Sequence, residues 1–228
     1  MKKLIIFGNG DFARLLKYYI DDDDPREIAC FTVNASEIKQ EMFEGLPVVP
    51  FETVVKKFSP ESYEILLGIG NVHMNDTRKR IFEECKAMGY TIANYIHSSS
   101  KIHNLEMGEG TIILEDCLFY PFAKIGKGNL FWDHVLVSHD CVIGDFNTFS
   151  GSADMAGYVR VGNNGYFGKQ CLLNDGIVVG DYVLVGACAY AKKNLKDYEV
   201  VVAPRSVVLE NKRSTDLMYM SYRLSHRK

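Results

Sequence analysis

Two kinds of residue in this 228-residue chain are equipped for chemistry: a glycine-rich loop near the N-terminus and a scatter of six histidines. The loop reads Gly8-Asn9-Gly10-Asp11-Phe12-Ala13, a GxGxxA spacing. Glycines let a backbone approach a phosphate closely, and the N–H groups of a following helix attract its negative charge. Gly8, Asn9, Gly10 and Asp11 are therefore candidate nucleotide contacts, with a ligand-free tight turn as the alternative. The histidines stand at 73, 97, 103, 134, 139 and 226. An imidazole accepts a proton at neutral pH and can serve as a general base. No histidine and cysteine group has zinc spacing, so no metal is expected. The six cysteines form no CxxC pair and lack the density of a disulfide scaffold, which points to a reduced, cytoplasmic protein.

The glycine loop needs a strand before it and a helix after it. Lys2 to Phe7 reads as a short buried strand, and Leu15, Leu16, Tyr19 and Ile20 mark a helix ended by Asp21–Asp24 and Pro25. Glu27 to Val33 reads as a second strand, Tyr63 to Gly68 as a third, and Asp76 to Met88 as an amphipathic helix. This is a small Rossmann-like pattern. A dinucleotide enzyme would place an acid at the end of the second strand, for the ribose hydroxyls. Phe31-Thr32-Val33-Asn34 has none, which argues against a nicotinamide dehydrogenase.

Beyond residue 100 the pattern changes. In steps of six, Met107, Ile113, Phe119, Ile125, Phe131, Val137, Ile143, Phe149, Met155, Val161, Phe167, Leu173, Val179 and Val185 are all large and apolar. At even odds per position such a run arises about once in 10⁴ trials in a chosen frame. The next residue is often small, as at Gly108, Gly126, Gly144 and Gly162. Four residues on comes another small or aliphatic side chain, as at Ala123, Val135, Cys141, Ala153 and Cys171. A period of six fits a chain that turns a corner every six residues, three corners to a coil, each coil pairing with the last. The large residue fills the prism, and the small one after it is expected to make the tight turn. Phe119, Phe131, Phe149 and Phe167 are expected in the core.

Composition agrees with a globular protein: 47% hydrophobic, 24% charged, net charge −3 and pI near 6.1, which gives no reason to expect a nucleic-acid partner. No apolar run approaches a membrane span, so none is expected.

The glycine loop, the stretch Gly68-Ile69-Gly70-Asn71 followed by Arg78, the junction Asn94-Tyr95-Ile96-His97-Ser98 and the repeat segment Ser138-His139-Asp140-Cys141-Val142-Ile143-Gly144-Asp145 together carry a resemblance. From Lys2 to about Lys193 the chain resembles the sialic acid O-acetyltransferase and bacterial nucleotide-aminosugar N-acetyltransferase family. The resemblance implies an α/β plus β chain: a Rossmann-like domain over 1–98, a left-handed parallel β-helix over 99–194 and a C-terminal extension over 195–228. It implies acetyl-CoA as cosubstrate, a nucleotide-linked sugar as acceptor and a homotrimer with its site between neighbouring β-helices. It also implies His139 as catalytic base, Asp140 as the acid that orients its ring, Gly157 as oxyanion donor, and Lys192 and Lys193 beside the coenzyme. The products would be sugars for surface glycans.

Against this pattern, Val202-Ala203-Pro204-Arg205-Ser206 stands where many relatives carry Gly-Asn-Pro-Ala beside the coenzyme. Thr148 stands about where some relatives place a second histidine, and His134 is a candidate for lining the same cleft. N-acetylation of an amino sugar leads, with O-acetylation close behind. A non-catalytic trimeric scaffold is the reading from a different class. Residues 216–220 read as a short helix covering the end of the β-helix.

Overall fold

A computed structural model describes residues 1–210 and 212–215. Strand β1 (Lys3–Phe7) leads through the glycine loop into helix α1 (Asp11–Asp23), followed by β2 (Ile28–Val33). A hairpin, β3 (Met42–Phe43) and β4 (Leu46–Pro50), a short helix α2 (Val54–Lys57), β5 (Tyr63–Leu67) and α3 (Asp76–Ala87) complete the first domain. Its sheet runs β3-β4-β2-β1-β5, with β1 in parallel pairing to both β2 and β5. The strand β4 escapes a reading by pattern because Pro47 and Pro50 punctuate it. It is tolerated because Pro47 pairs only with the two-residue outer strand, through Met42.

The remainder is a three-sided prism. One face carries seven two-residue strands from Tyr95–Ile96 to Val200–Val201, the second six from Lys101–Ile102 to Tyr190–Ala191, and the third five from Glu106–Met107 to Val178–Val179. All pairing within these faces is parallel, and Leu118 pairs with Leu136, Leu136 with Asp154 and Asp154 with Leu172, three steps of six per coil. The coil pairing thus begins at Tyr95 and reaches Val201, outside the 99–194 span at both ends. Thirteen of the fourteen periodic residues lie in one buried core, with Met107 packed against it at the open end. Phe131, Phe149 and Phe167 stack in that core with centroids 4.8 and 4.5 Å apart.

The turning residue is not the one the pattern suggested. Left-handed backbone falls three residues after each inward side chain, at Asp116, Phe122, His134, Asp140, Phe146 and onward. These are mostly not glycines, so the corner itself tolerates side chains. The small residue directly after the inward one serves close approach instead. A Cβ on Gly126 would sit 2.7 Å from the Gly144 oxygen, and one on Gly108 would sit 2.7 Å from the Lys127 nitrogen, both backbone atoms of the next coil.

The two domains share continuous cores. Leu16, Tyr19 and Ile20 of α1 pack with Tyr95, Ile112, Leu114 and Leu130 of the first face, and Phe82 of α3 packs edge-to-face on Phe146 at 5.4 Å. Polar contacts reinforce the seam: the Tyr19 hydroxyl donates to Glu115 at 2.6 Å, and Asp23 accepts from the Ser98 backbone at 2.8 Å. Burial first, and then that hydrogen bond to Glu115, push the Tyr19 phenol upward. The expected helix over 216–220 lies outside the described residues. Among the described residues, no helix is long and apolar enough to cross a membrane.

Candidate active site

His139 follows the strand Leu136–Val137 and stands on the edge between the second and third faces. Successive coils place Pro121, His139, Gly157, Asp175 and Lys193 in one column on that edge, since pairing advances eighteen residues per coil. The His139 ring is half exposed, and its Nδ1 lies 2.9 Å from Asp140 Oδ2. A carboxylate only accepts, so Nδ1 carries the proton in the neutral ring and Nε2 presents its lone pair. Asp140 occupies the left-handed corner position at φ 59°, which turns its side chain beside the ring. Tyr158, the corner residue of the next coil, meets the ring edge-to-face at 5.1 Å.

Gly157 lies directly over the imidazole. A Cβ there would sit 2.9 Å from His139 Cε1 and 3.0 Å from Nε2. Glycine is required here for close approach, which is a stronger reason than the turn. Its carbonyl accepts from Gly176, whereas its N–H has no acceptor among the described residues. At the third-to-first edge the corresponding N–H groups of Lys127, Asp145, Asn163 and Asp181 are each capped by an Asp or Asn of the next coil, at 2.7–2.9 Å. The edge that carries His139 therefore keeps free a donor that another edge satisfies. Gly157→Ala is expected to lower kcat by about 10²-fold, because its methyl group displaces the imidazole by a fraction of an ångström to an ångström. Steady-state kinetics alongside an unchanged thermal midpoint checks this.

Lys192 and Lys193 stand three coils further along the same edge, roughly 14 Å from His139 at the usual strand spacing. With Tyr190, Ala191, Leu195 and Val201 they line a groove of about 400 Å³. The edge thus joins an imidazole, a free backbone donor and a groove with two lysines. Two other residues do not join it. His134 belongs to the first-to-second edge, where its ring faces Asp133 at 3.3 Å and Asp116 at 3.7 Å. Thr148 faces outward from the first face, is buried, and donates to Asn75 at 2.7 Å. Asp175 was not anticipated, and its Oδ1 comes within 3.1 Å of the same Gly157 Cβ position. Among the described residues no group of three His, Cys, Asp or Glu side chains gathers as a metal site.

A second cavity, of about 320 Å³, lies in the first domain. Gly8, Asn9, Gly10, Asp11, Val33, Asn34, Glu37, Gly68, Gly70 and Arg80 contribute to its wall. Gly8 has φ +127°, and a Cβ there would meet the Gly68 oxygen at 2.6 Å, so it serves the strand-to-helix packing. Gly10 has nothing within 4 Å of its Cβ position and leads into α1, whose N-terminus carries no side-chain cap. That open helix start is the part suited to an anion. Asp11 turns its exposed carboxylate toward Arg14 at 3.2 Å, on the rim.

The PglD N-terminal domain family matches residues 3–85. A GDP-perosamine N-acetyltransferase of Escherichia coli O157:H7 is 28% identical over 180 residues, 75% of this chain and 78% of that protein. An acyl-[acyl-carrier-protein]–UDP-N-acetylglucosamine O-acyltransferase of Thiobacillus denitrificans is 29% identical over 101 residues, 41% of this chain and 39% of that protein. The match therefore spans about two fifths of that relative's length. Among solved structures, the acetyltransferase domain of PglB from Neisseria gonorrhoeae in complex with acetyl coenzyme A superposes with a TM-score of 0.81 at 23% identity, covering 91% of this chain and 99% of that one. PerB from Caulobacter crescentus in complex with CoA and GDP-perosamine superposes with a TM-score of 0.76 at 21% identity, covering 89% and 95%. The prism is accordingly a left-handed parallel β-helix behind a small α/β domain. Over residues 3–85 the chain matches the PglD N-terminal domain, and over three quarters of its length it is similar to a bacterial sugar N-acetyltransferase.

Proposed function

We propose that the protein transfers an acetyl group from acetyl-CoA to a nucleotide-linked amino sugar destined for a bacterial surface glycan. The observation that carries this is the His139–Asp140 pair packed against Gly157, a residue whose N–H has no acceptor among the described residues. The sugar nitrogen attacks the thioester carbon while His139 Nε2 takes its proton, and Asp140 holds the ring and stabilises the imidazolium. The Gly157 N–H faces the oxygen that becomes negative. As the C–S bond breaks, the imidazolium returns its proton to the departing thiolate. Both substrates meet directly, so no acyl-enzyme is required.

The groove at Tyr190, Lys192 and Lys193 suits the pantetheine arm and phosphates of the coenzyme, in line with the base. The first-domain cavity, with Gly8 to Asp11 at the open start of α1, suits the diphosphate of the nucleotide. Leu172 and Tyr190 leave half-exposed apolar surface on the face that leads to His139, which supports assembly as a homotrimer with the site between subunits.

The test is CoA release, followed with a thiol reagent, from acetyl-CoA against nucleotide-linked amino sugars and their hydroxyl analogues. Release with one amino sugar is expected and names the acceptor. Silence across the panel, together with no acetyl-CoA binding in a titration, would favour the scaffold instead.

A further inference from the structure

Two acceptors converge on Gly157 at this edge. His139 Nε2 stands 3.0 Å, and Asp175 Oδ1 3.1 Å, from the point where a Gly157 side chain would begin. The two atoms are therefore at most about 6 Å apart, a bound that includes the ~5 Å that one nitrogen bridges with two ordinary N–H hydrogen bonds. Asp140 occupies Nδ1, so Nε2 offers a lone pair, and the Asp175 carboxylate also only accepts. Among the described residues nothing donates to the Asp175 side chain. The coil stacking alone holds the two groups in register, one on each side of Gly157, which has no side chain to separate them.

The chemistry of the group that fits follows from counting hydrogens. A hydroxyl has one and satisfies one of the two acceptors. An amine has two and an ammonium three, so either bridges both. We propose that Asp175 is an acceptor-binding residue that, with His139, selects an amino group over a hydroxyl as the atom acylated. This rests on the acetyltransferase reading above.

A sugar amine arrives largely as R–NH3⁺, and a site flanked by the carboxylates of Asp140 and Asp175 favours that cation over a neutral hydroxyl. One proton leaves to solvent as the amine becomes nucleophilic, still held by Asp175 and Nε2. The nitrogen then attacks: the N–C bond forms, a second proton passes to Nε2, the C–S bond breaks and that proton ends on the coenzyme sulfur. The balance is R–NH3⁺ and acetyl-CoA giving the amide, CoA–SH and one H⁺.

The experiment compares kcat/KM for matched amino and hydroxyl nucleotide sugars in wild type and Asp175→Asn, with acetyl-CoA affinity measured by titration. The variant is expected to lose about 10- to 100-fold in kcat/KM for the amine, mainly through KM, as the loss of one charge-assisted hydrogen bond implies. Acetyl-CoA affinity should stay within about twofold of wild type, and the amine-to-hydroxyl ratio should fall at least tenfold. An unchanged ratio in a variant whose wild type acetylates the amine overturns the role of Asp175 alone. A tenfold weaker acetyl-CoA affinity with the ratio unchanged also overturns it, by moving Asp175 to the thioester side. No CoA release from wild type with either acceptor overturns the acetyltransferase reading and this inference with it.

Discussion

Replacing His139 with alanine is expected to lower kcat by about 10²- to 10⁴-fold, the range that a positioned general base contributes. Stability should hardly change. The ring is half exposed and its polar contact is to its neighbour Asp140 at the surface, so the cost of removal stays within about 0.5 kcal/mol. That contrast separates a chemical role from a structural one: activity collapses while the thermal midpoint stays. The residual rate should exceed the uncatalysed one, because the Gly157 donor and both proposed substrate sites remain. Retention of full activity by the alanine variant would remove His139 from the chemistry, and the proposed mechanism with it.

The β-helix was legible because one inward side chain per strand repeats without interruption from Met107 to Val185. The ends were not, because their coils are shorter. Lys101 pairs with Leu118 after seventeen residues, and Leu184 with Val200 after sixteen, which breaks the six-residue count. His139 and Asp140 are sequence neighbours, and the structure keeps them together. Asp175 lies thirty-six positions on, and only the rule of eighteen residues per coil brings it back to the same edge. The same rule explains why His134 and Thr148 fall elsewhere. Five residues back from His139 lands on the preceding edge, and nine forward lands on the first face. Proximity in sequence misleads in this fold, where six residues are a third of a turn. The glycines after the inward residues were also visible, but their reason was not, since it depends on a neighbouring coil.

Arg78→Met is expected to destabilise the protein by about 3 kcal/mol and lower its melting point by roughly 6–12 °C. Arg78 is only 1% exposed, and no carboxylate pairs with it among the described residues. Burial pulls its guanidinium down to about 9, so its presence there is costly. The cost is offset by acceptors from both domains: the Gly128 oxygen at 2.9 Å, the Gly70 oxygen at 2.7 Å, the Asn147 oxygen at 3.0 Å and the Thr148 hydroxyl at 3.0 Å. Methionine relieves the buried charge and fills part of the volume, which alone would be neutral or favourable. It also leaves the Gly128 carbonyl, tucked between the domains, without a donor and weakens the set around Asn147, at about 1–3 kcal/mol per unpaired buried group. The second effect wins because several acceptors lose their partner for one cation removed. The loss should reach function as well. Gly70 lines the first-domain cavity, and Arg78 fastens it to the corner at Gly128 and Asn147, so nucleotide affinity should weaken along with stability. Urea unfolding and a nucleotide titration on the same variant check both. A methionine variant as stable as wild type would mean that the cost of burying the charge equals the worth of its hydrogen bonds, and that the domain seam is held by its apolar contacts alone.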